Sequence, residues 1–371
     1  MQKSPKLREA RFDDHPRITA LAAKYGLRTE EYSAWTHLWN SNPAYRSVQG
    51  EIPIGWVLDI GGDEIVGYLG NVPIGYELRG ERLLAATTRA WVVDTPYRAY
   101  SPLLLATYFQ QRNVDLFLST TVNSQSEAAY SSFQSTRVPV GSWDRASFWI
   151  TNYRGFVGSY LRRNSRMFTV PATYPLSAGL FVLDRFRGAR LPRSSDSVRI
   201  VPCARFDDRF QAFWEKLRKV KSDILLADRS LQTLDWHFKS AFQKRDPWIY
   251  VLEQGSSISA YSIFQRYDFA KVGLTRVRLI DFQCLDIDKS YDVLLAMLRI
   301  AIDRCRKASI HMLELVGDPS ELVKKLQSAA LRQRPLGSWL YYYKTNHSPL
   351  AQELKHASVW EPSLFDGDSS L

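Results

Sequence analysis

The sequence predicts an α/β protein made of two tandem α/β sandwich units, each with a mixed, mostly antiparallel sheet. Three observations predict it. First, Ala10-Arg11-Phe12-Asp13-Asp14 recurs as Ala204-Arg205-Phe206-Asp207-Asp208, an offset of 194 in a chain of 371 residues. The echo continues in order: Trp56-Val57-Leu58 and Ile65-Val66-Gly67-Tyr68 correspond to Trp248-Ile249-Tyr250 and Ile258-Ser259-Ala260-Tyr261. An offset this long indicates duplication of a whole domain rather than a solenoid repeat. Second, β-rich runs are joined by short glycine-containing turns, the mark of a meander. Third, a Leu-rich helical segment and a further apolar strand follow the meander in each half, so the sheet takes in a parallel strand through a helical crossover. The expected division is 1–152, an Arg-rich connector 153–197, and 198–371.

Taken in order, the first half opens with a short strand and two helical stretches, Ile18 to Tyr25 and Tyr32 to Trp39. In the second, Tyr32, Trp35 and Trp39 share a face. Strands Trp56 to Ile60 and Ile65 to Pro73 flank Gly61-Gly62-Asp63-Glu64, which reads as a strand-joining turn. A turn at Arg79-Gly80-Glu81 leads into a strand from Leu83 to Asp94. Pro102 suits a first helical turn, so a helix is expected near Leu103 to Arg112. A strand from Asp115 to Val122 and a helix from Ser126 to Phe133 close the unit.

Hydrophobic residues at 45% and charged residues at 23% are the balance of a soluble globular protein. No run approaches the roughly 18 apolar residues of a membrane span, and the first residues lack the apolar core of a signal peptide, so a cytoplasmic protein is expected. Cys203, Cys284 and Cys305 are too few and too widely spaced for a disulfide framework or a CxxC metal site, so no metal is expected. No GxSxG, HExxH, Walker or dinucleotide fingerprint occurs, which leaves serine hydrolase, zincin, P-loop and Rossmann chemistry without support. The net charge is +11, and nine arginines stand against Asp184 and Asp196 between Thr151 and Ile200. That stretch reads as a solvated connector, with a phosphate or nucleic-acid surface as the alternative. His37 and His237, each beside a tryptophan, read as structural, and Asp366-Gly367-Asp368 reads as tail.

The segment Val93-Asp94-Thr95-Pro96-Tyr97-Arg98-Ala99-Tyr100-Ser101-Pro102-Leu103 joins a strand end to a helix start. Unpaired amides and the positive end of the helix dipole, beside Arg98, would suit a phosphate there. With Asn123, Ser126 and Tyr130 at their spacing, this segment resembles the GNAT superfamily of acyl-CoA N-acyltransferases. The family's loop has the form V-x-P-x-[YH]-R-x-x-G-x-G, and its next motif N-x-x-A-x-x-x-Y-x-x-x-G-F. Val93, Tyr97 and Arg98 match; Ser101 and Leu103 stand in place of the loop glycines, and Gln134 and Ser135 in place of Gly-Phe. The second half matches in element order only: near Asp288-Lys289-Ser290-Tyr291 it has neither arginine nor glycine, and Lys325 stands where the tyrosine is sought. The whole is similar to tandem GNAT proteins, a group that includes the Fem-type aminoacyltransferases.

The resemblance implies acyl-CoA as co-substrate, bound by Val93, Tyr97, Arg98, Ala99, Tyr100, Ser101, Leu103 and Asn123, with the backbone amides near Arg98 to Leu103 holding its diphosphate and a bulge in the preceding strand opening a cleft. Tyr130 would protonate the departing thiolate. The base is expected among Asp94, Glu64, His37 or a water chain, and Asp94 is taken with Tyr130 as catalytic. Tyr32, Trp35 and Trp39 would wall the acceptor side, with a core face as the alternative reading of an aromatic stripe at helical spacing. The acceptor is expected to be an amine of a small molecule or carbohydrate precursor, as in polysaccharide or cell-envelope synthesis. Two alternatives stand beside it: Fem-like aminoacyl transfer from tRNA, and a non-catalytic protein of the same fold.

Overall fold

The computed structural model describes residues 3–48, 51–141, 143–164, 173–186, 199–244, 247–317, 332–336 and 339–371. The first half runs β1 (Lys6–Glu9), α1 (His15–Lys24), α2 (Tyr32–Asn40), α3 (Pro43–Ser47), β2 (Gly55–Asp59), β3 (Ile65–Leu78), β4 (Glu81–Val93), α4 (Ser101–Phe109), β5 (Leu116–Val122), α5 (Glu127–Ser132), β6 (Thr136–Arg137) and β7 (Arg145–Ile150). Two helices follow, α6 (Tyr153–Asn164) and α7 (Thr173–Phe186). The second half then repeats the plan with β8 (Ile200–Cys203), α8 (Asp208–Val220), β9 (Leu226–Ala227), α9 (Leu231–Lys244), β10 (Trp248–Gln254), β11 (Ser257–Arg266), β12 (Arg276–Cys284), α10 (Ser290–Lys307) and β13 (Met312–Val316). It ends with β14 (Arg332–Pro335), β15 (Leu340–Lys344) and α11 (Ser348–Glu353).

The echoed pentapeptides each lead into a helix, and in each a carboxylate holds a backbone amide, though the carboxylates occupy adjacent and not matching positions of the echo. Asp14 accepts the Arg11 amide at 2.8 Å just before α1, and Asp207 caps α8 by accepting the Arg209 amide at 3.0 Å. Asp207 satisfies an amide that the first turn of α8 would otherwise leave open, whereas Asp14 reaches back to close the short turn that leads into α1.

The two sheets have the same internal order, β1-β2-β3-β4-β5 in one and β8-β10-β11-β12-β13 in the other, and each is completed by the opposite half. β15 pairs antiparallel with β5, and β7 pairs antiparallel with β13. Strands at 145–150 and 340–344 thus cross the expected division at 152 and 198. One apolar cluster accordingly holds Ile74, Trp143 and Tyr341 together with Phe210, Leu234 and Ile263.

Both histidines are structural. His37 Nε2 meets the Trp236 carbonyl at 3.0 Å, and Trp236 Nε1 donates to the His37 carbonyl at 3.1 Å, which ties α2 to α9. His237 is buried against Ser370 Oγ at 2.7 Å, and burial holds its pKa down to about 3.

The expectation of a loose tail at Asp366-Gly367-Asp368 is corrected. Arg229, itself buried, bridges Asp281 and Asp366 at 2.9 Å each, and Tyr261 donates to Asp281 at 2.7 Å. A buried arginine requires such partners, so the tail is part of the core. The stretch read as a solvated connector contains α6 and α7; Arg166, Arg187, Arg190, Arg193 and Lys325 lie outside the described residues.

Candidate active site

The site follows from how β4 and β5 meet. They are parallel and pair only over Ala85–Thr87 against Leu116–Leu118, then diverge. On its other side β4 carries a bulge: Tyr68 pairs Val92 and Gly70 pairs Arg89, so Ala90 and Trp91 together oppose Leu69. Ala90 takes the left-handed conformation at φ +53°. Gly70 permits this, because a Cβ there would lie 2.7 Å from the Arg89 carbonyl. The bulge turns the end of β4 away from its neighbour.

A cleft of about 570 Å³ opens at the divergence, lined in part by Tyr25, Trp91, Val93, Arg98, Ser101 and Asn123. Four of the expected co-substrate residues are therefore brought together: Val93, Arg98, Ser101 and Asn123. Arg98 is exposed and free of ion pairs among the described residues. Asn123 Oδ1 accepts the Ser126 amide at 2.8 Å and orders the start of α5. Tyr97 is instead buried in the apolar core beneath the loop. Tyr100 meets Ser4 Oγ at 3.4 Å, and Ala99 and Leu103 face solvent outside the cleft lining.

The expected cradle of backbone amides is corrected. Thr95 to Tyr100 form a 3-10 helix that runs directly into α4. The Thr95 amide donates to Tyr25 Oη and Asp94 Oδ1, the Tyr97 amide to the Asp94 carbonyl, and the Ser101 amide to the Arg98 carbonyl. Pro96 and Pro102 have no N–H to offer. The cation that this loop leaves exposed at the cleft is the Arg98 side chain.

Asp94 is also recast. Lys24 Nζ reaches its two oxygens at 2.8 and 2.9 Å, and Tyr25 donates to it as well. The Lys24 ammonium and the Tyr25 hydroxyl hold its carboxyl below the usual range, which suits a cap and not a proton acceptor. Glu64 lies on the turn before β3, and His37 is taken up with Trp236.

Tyr130 occupies the gap between the diverging strands. Its hydroxyl lies 3.1 Å from Ser119 Oγ on β5 and 3.2 Å from Thr88 Oγ1 on β4, and those two hydroxyls are 2.7 Å apart. Burial pushes the phenol pKa up, and the two neighbouring hydroxyls pull it back. Trp91 packs edge-on against the Tyr130 ring at 5.9 Å. The buried Trp91 indole N–H has no acceptor, an orphan donor in the wall of the cleft.

The chain's last turn enters the same gap from the second half. Asp368 Oδ1 accepts from Thr120 Oγ1 at 3.1 Å, and Arg89 Nη1 donates to the Asp368 carbonyl at 3.0 Å. Arg89 is anchored by Glu30 at 2.7 Å. Burial raises the Asp368 pKa, with Arg89 opposing, and the Asp368 charge in turn raises that of Tyr130. Sequence reasoning missed Asp368, Thr88, Ser119 and Trp91. The polar run Ser119-Thr120-Thr121 inside an apolar strand is a usable signal; Asp368 stands out only as part of Asp366-Gly367-Asp368, and no local pattern ties it to Thr120.

The aromatic stripe is corrected in part. Trp39 is fully buried, with its indole N–H donated to the Asn71 carbonyl at 2.7 Å, and Trp35 packs edge-on to it at 4.9 Å. Both are core residues, and Tyr32 alone of the three is exposed.

The second sheet repeats the divergence, β12 pairing β13 only over Arg276–Arg278, with a bulge at Ile280. There the Phe365 amide donates to the Ile280 carbonyl at 3.2 Å, and residues 361–364 line a remnant cavity of about 100 Å³.

No protein-family model matches the chain, and no curated protein matches it in sequence. Solved structures do. The chain is similar to a GCN5-related N-acetyltransferase from Anabaena variabilis at 11% identity and TM-score 0.56, over 92% of this chain and 72% of that one. It is also similar to Saccharomyces cerevisiae N-myristoyltransferase crystallised with myristoyl-CoA, at 13% identity and TM-score 0.57, over 92% of this chain and 78% of that one. At such identities the likeness concerns the fold: this chain has the GNAT acyltransferase fold, built twice in tandem.

Proposed function

We propose that the chain is an acyl-CoA-dependent N-acyltransferase working from the β4/β5 cleft of its first half. The observation that carries this reading is Tyr130: a phenol held by two hydroxyls in the gap where the parallel strands part, beside an open cleft with a free arginine. The acyl-CoA would enter that cleft with its diphosphate at Arg98, Ser101 and Asn123 and its thioester toward Trp91. An amine attacks the thioester carbonyl, the C–S bond breaks, and Tyr130 gives its proton to the departing thiolate. A phenol is an acid of basicity close to that of a thiolate leaving group. Asp368 is the candidate to accept the proton from the amine, since its raised pKa makes it a stronger base than an ordinary aspartate. The acceptor is proposed to be an amine of a small molecule or carbohydrate precursor.

The occupied amides of residues 95–101 favour a second reading, a protein of this fold that has lost the co-substrate. Calorimetry with CoA and acetyl-CoA separates the two. Saturable binding, with a crystal soak placing the nucleotide between β4 and β5, supports the transferase. Absence of binding at millimolar ligand leaves the non-catalytic reading.

A further inference from the structure

Helix α7 is amphipathic in the reverse sense. Its inward side carries Thr173 and Asp184, both buried, with Ser177 and Leu180 partly covered. Asp184 is held by Arg332 and accepts from Tyr153 Oη at 3.0 Å. The outward side presents Tyr174, Leu176, Phe181, Val182 and Leu183 at 43% to 55% exposure and Phe186 at 87%. A surface helix that faces only water does the opposite, and a contiguous apolar face of this kind marks a docking surface.

The surroundings indicate what it docks on. Arg154, Arg162 and Arg163 on α6 and Arg185 on α7 stand against a single acid, Asp184, already paired inward. The Arg154 guanidinium lies 4.3 Å over the Tyr174 ring, at the edge of the apolar face. Between the helices is a pocket of about 350 Å³ whose lining includes Arg154, Arg162, Tyr174 and His311. An apolar stripe rimmed by arginine, with a basic pocket at its margin, matches the boundary between acyl chains and anionic headgroups. A second copy of the chain fits less well, because a two-fold contact through α7 would set these arginines against their own counterparts. No helix among the described residues is long and apolar enough to cross a membrane.

We infer that α7 is a peripheral membrane anchor. Its outward face lies in the interface of an anionic phospholipid bilayer, with Arg154 and Arg185 on the phosphates and the α6/α7 pocket receiving one headgroup. The inference is independent of the acyltransferase reading.

The test is flotation of the full chain with vesicles of phosphatidylcholine alone or with added phosphatidylglycerol. Binding is expected only to the anionic vesicles and should fall with salt. V182D/F186D changes side chains that point away from the body; it should weaken binding roughly tenfold or more with an unchanged circular dichroism spectrum. R154E/R185E should weaken it comparably. Failure to float with anionic vesicles overturns the inference, as does binding that survives V182D/F186D. A dimer that V182D/F186D dissociates, without vesicle binding, would assign the face to a second copy and overturns it too.

Discussion

Arg98→Ala tests the rebuilt view of the anion site most directly. In a loop with free amides, one arginine among several donors would contribute little on its own. Here the amides of Thr95, Tyr97 and Ser101 are already engaged within the chain, so a diphosphate in the cleft depends on Arg98. A charge-assisted hydrogen bond contributes ~1.5–3 kcal/mol. Arg98 is exposed, and solvent screening reduces that to ~1–2 kcal/mol. The expected loss is then about five- to thirtyfold in Kd for CoA. Arg98→Glu adds repulsion of ~1 kcal/mol at contact in water, roughly another fivefold. Both effects should shrink as salt shortens the screening length from about 10 Å at 0.1 M. Calorimetric titration with CoA at low and high salt reads all of this, with Arg82→Ala as a charge-matched control on the turn side of β4. Binding of CoA to Arg98→Ala within twofold of the parent at low salt would refute the reasoning and return the diphosphate to the backbone.

Tyr130→Phe should keep CoA affinity, because Thr88 and Ser119 remain bonded to each other, while turnover with a reactive amine falls by about 10²–10⁴; single-turnover thiol release measures it. Asp368 has a raised folded pKa, so folding favours its protonated form and the associated stability is lost as pH rises through that pKa. Asp368→Asn should therefore raise the melting temperature at pH 7 more than at pH 4, and flatten the acidic limb of the pH–rate profile. His237 is held neutral with a pKa of about 3, so the stability it contributes is present above pH 6.5 and is lost on acidification toward pH 3. The slope approaches ~1.4 kcal/mol per pH unit. Urea melts between pH 7 and pH 5 should show this steepening, and His237→Gln should remove it.

Much of the frame was legible in the chain itself. The repeated Ala-Arg-Phe-Asp-Asp, the glycine turns and the helical crossover name the elements and their order, because periodicity and turn chemistry are local properties. Val93, Arg98, Ser101, Asn123 and Tyr130 could be singled out for the same reason: their spacing along one strand–helix junction and the next is set within a short stretch of chain. The polar run Ser119-Thr120-Thr121 was equally readable and was passed over.

What local pattern could not show depends on which surfaces meet. Trp35 and Trp39 have helical spacing whether they face core or cleft, and only the position of β3 beneath α2 buries Trp39 on the Asn71 carbonyl. The amides after Asp94 looked free until the 3-10 helix and Tyr25 took them. Asp368 reaches Thr120 across 248 residues, and the exchange of β7 and β15 between sheets joins segments equally remote. The sequence by itself determined two copies of one α/β plan and a basic stretch between them. Only the tertiary structure decides that a cleft of about 570 Å³ stays open beside the first gap while residues 361–364 line the small cavity of about 100 Å³ at the second. The two diverging strand pairs are alike in their bulged backbones, and what differs is which remote residues reach each of them, Tyr130 and Asp368 at the first and residues 361–365 at the second.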